Sequence, residues 1–273
     1  MRTLPVVVAL LLGVACGPRP QDLPALIADE ETRDAVRLAI EGHGGLAAFR
    51  NLHDIEYEAI VEQYDATGAL QVSTRELHRF ETVPPRRYVR RRSGTRVSEV
   101  GLDGEEGWAR VDGRSIERPE AGAQARRELA LLALLNRLPF SLADPGFSLG
   151  LLPDVAGTDG SPSLLRITAE RDNGPPAERY VVLIDASTGL VHEVIFESVT
   201  GDGSLRTARA ENIKMVNGVR LVTRWAFGPA DSTGRPSGIH DSAWIVDEIH
   251  ADNGFTDELY RAARPAGPGD GGR

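Results

Sequence analysis

Closely spaced turn signals constrain this chain more than any other feature. "DATG" at Asp65, "DG" at Asp103 and Asp112, "DASTG" at Asp185, "GDG" at Gly201 and "NG" at Asn217 recur along it. Dipeptides of this kind favour the tight reversals that join antiparallel neighbours. Between them the apolar residues alternate. After Asp54, Ile55, Tyr57, Ala59 and Val61 fall on one side and Glu56, Glu58 and Glu62 on the other, the period of a half-buried strand. Val219, Leu221, Thr223, Trp225 and Phe227 share an inward face against Arg220 and Arg224. "LVHEVIFESV" pairs with "RYVVLID" across the Asp185 turn. Such punctuation predicts an up-and-down antiparallel meander.

Two stretches break the two-residue period. In "ADEETRDAVRLAIEGHGG", Asp29 or Thr32 can cap a helix whose stripe is Ala35, Val36, Ala39 and Ile40, with Gly42, Gly44 and Gly45 as its stop. "LAAFRNL" then turns the chain into the first strand. The second is "EAGAQARRELALLALLNRLPF", whose apolar residues from Leu129 to Leu135 cover every side of a helix that Pro139 ends. A helix apolar all round is buried on most of its circumference. It either fills the core against the sheet or serves as a lid that exchanges its contacts for those of a lipid chain.

The amino terminus sets the compartment. Arg2 and the apolar run from Leu4 to Ala15 have the form of a signal peptide, and the run is too short to span a membrane. "LLGVAC" resembles a bacterial lipoprotein signal, with Gly13 and Ala15 before Cys16, the residue to be acylated. Two or three acyl chains hold a protein stably at a membrane where one holds it marginally. Gly17, in place of Asp, resembles the outer-membrane sorting pattern. Cys16 is the only cysteine, so once acylated it leaves no thiol for a disulfide, a nucleophile or a metal.

Composition also bears on "PPRRYVRRRSGTR", which begins at Pro84 and holds Arg86, Arg87, Arg90, Arg91, Arg92 and Arg96. Lys214 is the only lysine, so arginine is nearly the sole cation, and the formal net charge of −9 argues against nucleic acid. In an extended strand Arg87 and Arg91 share one face and Arg90 and Arg92 the other. Charge on both faces predicts an edge or rim strand, partly neutralised by Glu76, Glu81 and Glu99. The alternative is a rim, Arg87, Arg90 and Arg91, that attracts anionic lipid groups.

Catalysis finds no carrier in the sequence. His43, His53, His78, His192, His240 and His250 never adopt ligand spacing, and no nucleophile elbow, S-x-x-K or phosphate loop occurs. Neither a metal nor any other cofactor is expected.

Four stretches, taken in order, resemble the lipoprotein-localisation (LolA/LolB-like) superfamily: "AIEGHGGLAAFRNLHDIEYEA", "GLDGEEGWARVDG", "VVLIDASTGLVHEVIFE", and "ENIKMVNGVRLVTRWAF" with "IVDEIHADNGFTDELYRA". The resemblance implies a mainly β (α+β) fold, an unclosed antiparallel half-barrel with helices covering its concave face, over residues 25–263. A signal peptide (1–15) and tether (16–24) precede it, and a disordered tail (264–273) follows. A lipid, acyl chain or lipoprotein would occupy the concave face, with Tyr57, Trp108, Leu132, Leu135, Trp225 and Phe227 as candidate lining. The superfamily's anchored members also use an exposed apolar loop, for which "DPGFSLGLLPD", with Phe147, Leu149, Leu151 and Leu152, is the nearest candidate; its other role is to pack the exit from the preceding helix. The expected protein is a monomeric, non-enzymatic lipoprotein, anchored to the outer membrane and facing the periplasm. The competing expectation is an envelope interaction or sensor protein that uses the same fold to recognise a protein partner.

Overall fold

The computed structural model describes residues 29–82, 86–103, 106–155, 163–171, 179–198 and 202–261. The expected signal peptide, Cys16, tether and tail lie outside the described residues.

Among the described residues, β1 (Asp54–Tyr64), β2 (Leu70–Glu81), β3 (Arg87–Ser93), β4 (Arg96–Asp103), β5 (Glu106–Val111) and β6 (Arg114–Ser115) run from the middle of a single sheet to one edge. The chain then crosses to the opposite edge and returns through β7 (Phe147–Val155), β8 (Leu164–Arg171), β9 (Arg179–Asp185), β10 (Val191–Glu197), β11 (Leu205–Val216), β12 (Val219–Pro229) and β13 (Ser242–Ala251). β13 pairs with β1, which joins two meanders into one antiparallel sheet. β6 and β7 are its edges and do not meet, so the barrel stays open. The "DG" at Asp112 and the "NG" at Asn217 form the hairpin turns expected of them: both residues have positive φ, as do the glycines after them.

This topology dictates where the long helix goes. α3 (Pro119–Arg137) is the crossover from β6 to β7, so it must traverse a face of the sheet, and it packs on β4, β5 and β12. Its approach is close because glycines meet there: a Cβ on Gly107 would lie 2.4 Å from the Gly122 carbonyl oxygen and 2.8 Å from the Arg126 nitrogen. Leu129 fills the space against Val89 and Leu102, while Leu134, Leu135 and Leu138 enter the main core.

α1 (Glu30–Gly42) is capped by Asp29, whose carboxylate accepts from the Thr32 backbone N–H at 2.6 Å and from its hydroxyl at 2.7 Å. Its buried stripe is the expected Ala35, Val36, Ala39 and Ile40, together with Thr32. The helix end rests on two turns, backbone against backbone. A Cβ on Gly42 would lie 2.6 Å from the Thr188 oxygen, and one on Gly44 2.1 Å from the Gly218 oxygen. Between them His43 is fully buried. Its Nδ1 lies 2.6 Å from the Arg220 carbonyl oxygen, and its Nε2 accepts from the Val191 N–H at 3.1 Å. Those roles require the neutral, Nδ1-protonated ring, and burial lowers its pKa to about 4. α2 (Leu46–Arg50) then brings Phe49 onto Phe140, with ring centroids 4.2 Å apart.

Of the two readings of "DPGFSLGLLPD", the exposed loop is corrected and packing agrees with the structure: the stretch supplies β7, an edge strand whose Phe147 and Leu149 are buried in the core, because the returning half of the sheet begins there. The arginine-rich β3 is not an edge strand: it lies between β2 and β4, with Arg87 buried, Arg91 half-buried and Arg90 and Arg92 exposed.

Candidate functional site

The concave face under α3 holds a cavity of about 190 Å³, lined by apolar groups above and a charged floor below. Its walls are Leu131 and Leu132 of α3, Val61 of β1, Phe227 of β12 and Trp244 of β13. Alternation places these strand residues: Trp225 pairs with Trp244 and Phe227 with Ser242, all on the concave side. The volume matches roughly six water-sized groups. It therefore admits a short run of methylenes without displacing α3.

The floor is Glu76 and His78 of β2, Arg91 of β3 and Glu128 of α3. Arg91 Nε donates to Glu76 at 2.6 Å, and its Nη2 donates to Glu128, so one guanidinium ties two carboxylates and links the helix to the sheet. His78 Nε2 donates to the other Glu76 oxygen at 2.9 Å. Burial raises the Glu76 pKa, but the His78 hydrogen bond and the Arg91 charge outweigh it and hold the carboxyl below its ordinary value. Burial likewise pushes His78 down to about 4 against the pull of Glu76, so His78 is neutral at physiological pH. Tyr57 stacks on the His78 ring at 5.0 Å and accepts from Asn136 Nδ2 at 2.7 Å.

Leu132 and Phe227 face this cavity. Tyr57, Leu135 and Trp225 are buried in the core and are not among the cavity lining. Trp108 is elsewhere: it lies on the opposite face of the sheet with Tyr88 and Tyr260, and its indole N–H donates to the Tyr260 carbonyl at 2.6 Å. The reason is steric. α3 sits so near β5 that glycine is needed on the concave side at Gly107, while the indole lies over Gly101 of the neighbouring strand, where a Cβ would meet its ring at 2.1 Å.

Of the three arginines expected at an anionic rim, Arg90 is exposed, Arg91 is half-buried in the cavity floor and Arg87 is fully buried. Alternation puts Val61 on the face of Tyr57 without marking it as lining, and it marked neither Leu131 nor Trp244. For the floor, Glu76 was expected only as a partner of the arginines, and the shared parity of Glu76 and His78 on one strand was the further signal; Glu128 carried none. Among the described residues no group of three His, Cys, Asp or Glu side chains is placed to hold a metal ion.

No protein-family profile matches the chain, and no curated protein matches it in sequence. Solved structures do share its fold. A LolA-superfamily protein of Nitrosomonas europaea is similar over 85% of this chain and 97% of its own, with a TM-score of 0.56 and 12% identity. A domain named for outer-membrane lipoprotein sorting, from Vibrio parahaemolyticus, is similar over 85% and 99%, with a TM-score of 0.52 and 11% identity. A DUF1329-family protein of Desulfovibrio piger is similar over 85% and 98%, with the same TM-score and identity. The chain thus shares the open half-barrel fold of these proteins.

Proposed function

We propose that this protein is a non-catalytic, envelope-located binder of an acyl chain, carried by a lipid or a lipoprotein, in the cavity beneath α3. The observation that carries this reading is the cavity's composition. Leu131, Leu132, Val61, Phe227 and Trp244 present apolar surface in a concave site, and each methylene transferred there from water gains about 0.8 kcal/mol. Six methylenes would contribute about 5 kcal/mol before the cost of association, so a longer chain must displace the leucines of α3. The likeness to a sorting-protein domain supports an envelope address. The signal-like amino terminus supports anchoring through acylated Cys16 in the outer membrane, and the protein is read as a monomer.

Filling the cavity tests this reading. Leu132→Trp occupies the space from the helix side without touching the charged floor. We expect displacement assays with a fluorescent fatty acid to show binding at least about tenfold weaker than wild type, with an unchanged unfolding midpoint. Wild-type affinity in a folded variant would place the ligand elsewhere, or leave a protein partner as the reason for the fold.

A further inference from the structure

Arg87 is the most anomalous residue in the molecule. It is 0% exposed, and none of Nε, Nη1 and Nη2 has a hydrogen-bond partner among the described residues. Its guanidinium carbon lies 4.8 Å from the Phe80 ring centroid, and the charge of Arg137 acts against it. Arg137 itself is held by Asp144 through two hydrogen bonds of 2.7 and 2.8 Å. A guanidinium keeps its proton at neutral pH, so a full charge sits in the interior near the Tyr57 hydroxyl and the Phe80 ring, with no carboxylate paired to it among the described residues. Buried charges without a counter-ion are costly, and native structures hold them where an ion or ligand completes the site.

Its position shows where that ligand would come from. Arg87 and Arg91 lie on the same side of β3, and Arg91 lines the cavity. Between them, Glu76, His78 and Tyr57 form a continuous polar row: Arg91 donates to Glu76, His78 donates to Glu76, and Tyr57 stacks on His78. The charge of Arg87 is felt by both Tyr57 and His78. Arg87 is therefore the inner end of a row whose outer end opens into the apolar cavity.

We infer that Arg87 is the recognition group for a phosphate-type oxyanion, delivered on the head of the amphiphile whose chain occupies the cavity. The inference rests on the cavity reading above. The planar fork of an arginine matches two oxygens of a phosphate, and such charge-assisted pairs are strongest where water is excluded. The same chemistry could be met by free phosphate, so the two sources have to be separated.

All core packing described here lies within residues 29–261, so a chain lacking residues 1–16 retains it. In that chain, wild type, Arg87→Met and the exposed control Arg90→Met are titrated with short-chain phosphatidate, with diacylglycerol of the same chains and with inorganic phosphate. Wild type and Arg90→Met should bind phosphatidate about tenfold or more tighter than diacylglycerol. Arg87→Met should bind the two equally. Without any ligand, Arg87→Met should melt at or above the wild-type temperature, because it removes an uncompensated buried charge. A melting shift with inorganic phosphate in wild type alone would assign the same site to a free anion. The inference is overturned if Arg87→Met keeps the phosphatidate preference, if it melts several degrees lower in the absence of anions, or if wild type responds to neither phosphatidate nor phosphate. Binding of diacylglycerol with no phosphate preference would sink this site and leave the cavity reading intact; a phosphate response without diacylglycerol binding would do the reverse.

Discussion

Moving the protein from about pH 7 to about pH 4.5 is expected to remove about 5 kcal/mol of stability through two histidines alone. His43 and His78 have ordinary values of 6.5 and are each lowered to about 4 by burial in the fold. Above 6.5 both folded and unfolded chains hold neutral rings, so neither residue makes stability depend on pH. Below 6.5 the unfolded chain takes up protons that the folded one refuses, and stability falls with every step until the pH reaches about 4. Two pH units within that window cost about 2.5 kcal/mol per histidine. Glu76, also lowered, adds to the loss at still lower pH. Urea unfolding at both pH values measures the slope. His43→Gln, whose amide can donate to the Arg220 carbonyl and accept from the Val191 N–H, should remove about half of it, and His43→Gln with His78→Gln nearly all. An unchanged slope in the double variant would mean that neither ring is buried neutral.

Removing Glu76 should be the most damaging single change in the cavity. Glu76→Met leaves His78 Nε2 without its acceptor and strips Arg91 of one of its two carboxylates, with Arg87 already unpaired behind them. Breaking one partner of a buried ion pair costs about 3–5 kcal/mol, because the survivor remains buried and charged. Adding Arg91→Met removes that survivor and releases Glu128, whose side chain is 34% exposed and can reach solvent. The double variant should therefore be more stable than Glu76→Met alone, a non-additivity that chemical denaturation of the two single variants and the double would measure. Additive losses would show that the floor is not one electrostatic unit.

The strands were legible because their signals are local. Asp112–Gly113 and Asn217–Gly218 need nothing beyond their own dihedral angles to make a hairpin turn, and the β1 parity follows from Ile55, Tyr57 and Ala59. Glu76 was expected among the acids that neutralise the arginines, and it does meet Arg91; the interior place of β3 was not legible, since Glu128 reaches Arg91 from a helix that the topology brings across the face. Alternation can assign Arg91 to a face but cannot say that a helix will bring Glu128 onto that face. Trp108 failed for a related reason. A large aromatic beside Gly107 and Ala109 reads as the inward residue, yet α3 comes so close that the inward side must be small, and the indole is covered on the other side by the segment carrying Phe255, Leu259 and Tyr260. Phe227 lies on the apolar face that strand alternation resolves, whereas a helix apolar on every side gives no means of separating Leu132, in the cavity wall, from Leu135, in the core.

Native mass spectrometry of the chain lacking residues 1–16, purified without detergent, addresses the central claim most directly. Acyl-bearing species should accompany wild type and be depleted in Leu132→Trp. A bare protein mass, together with no uptake of added fatty acid, would mean that the hollow under the crossover helix is only a packing defect and that the half-barrel serves some other end.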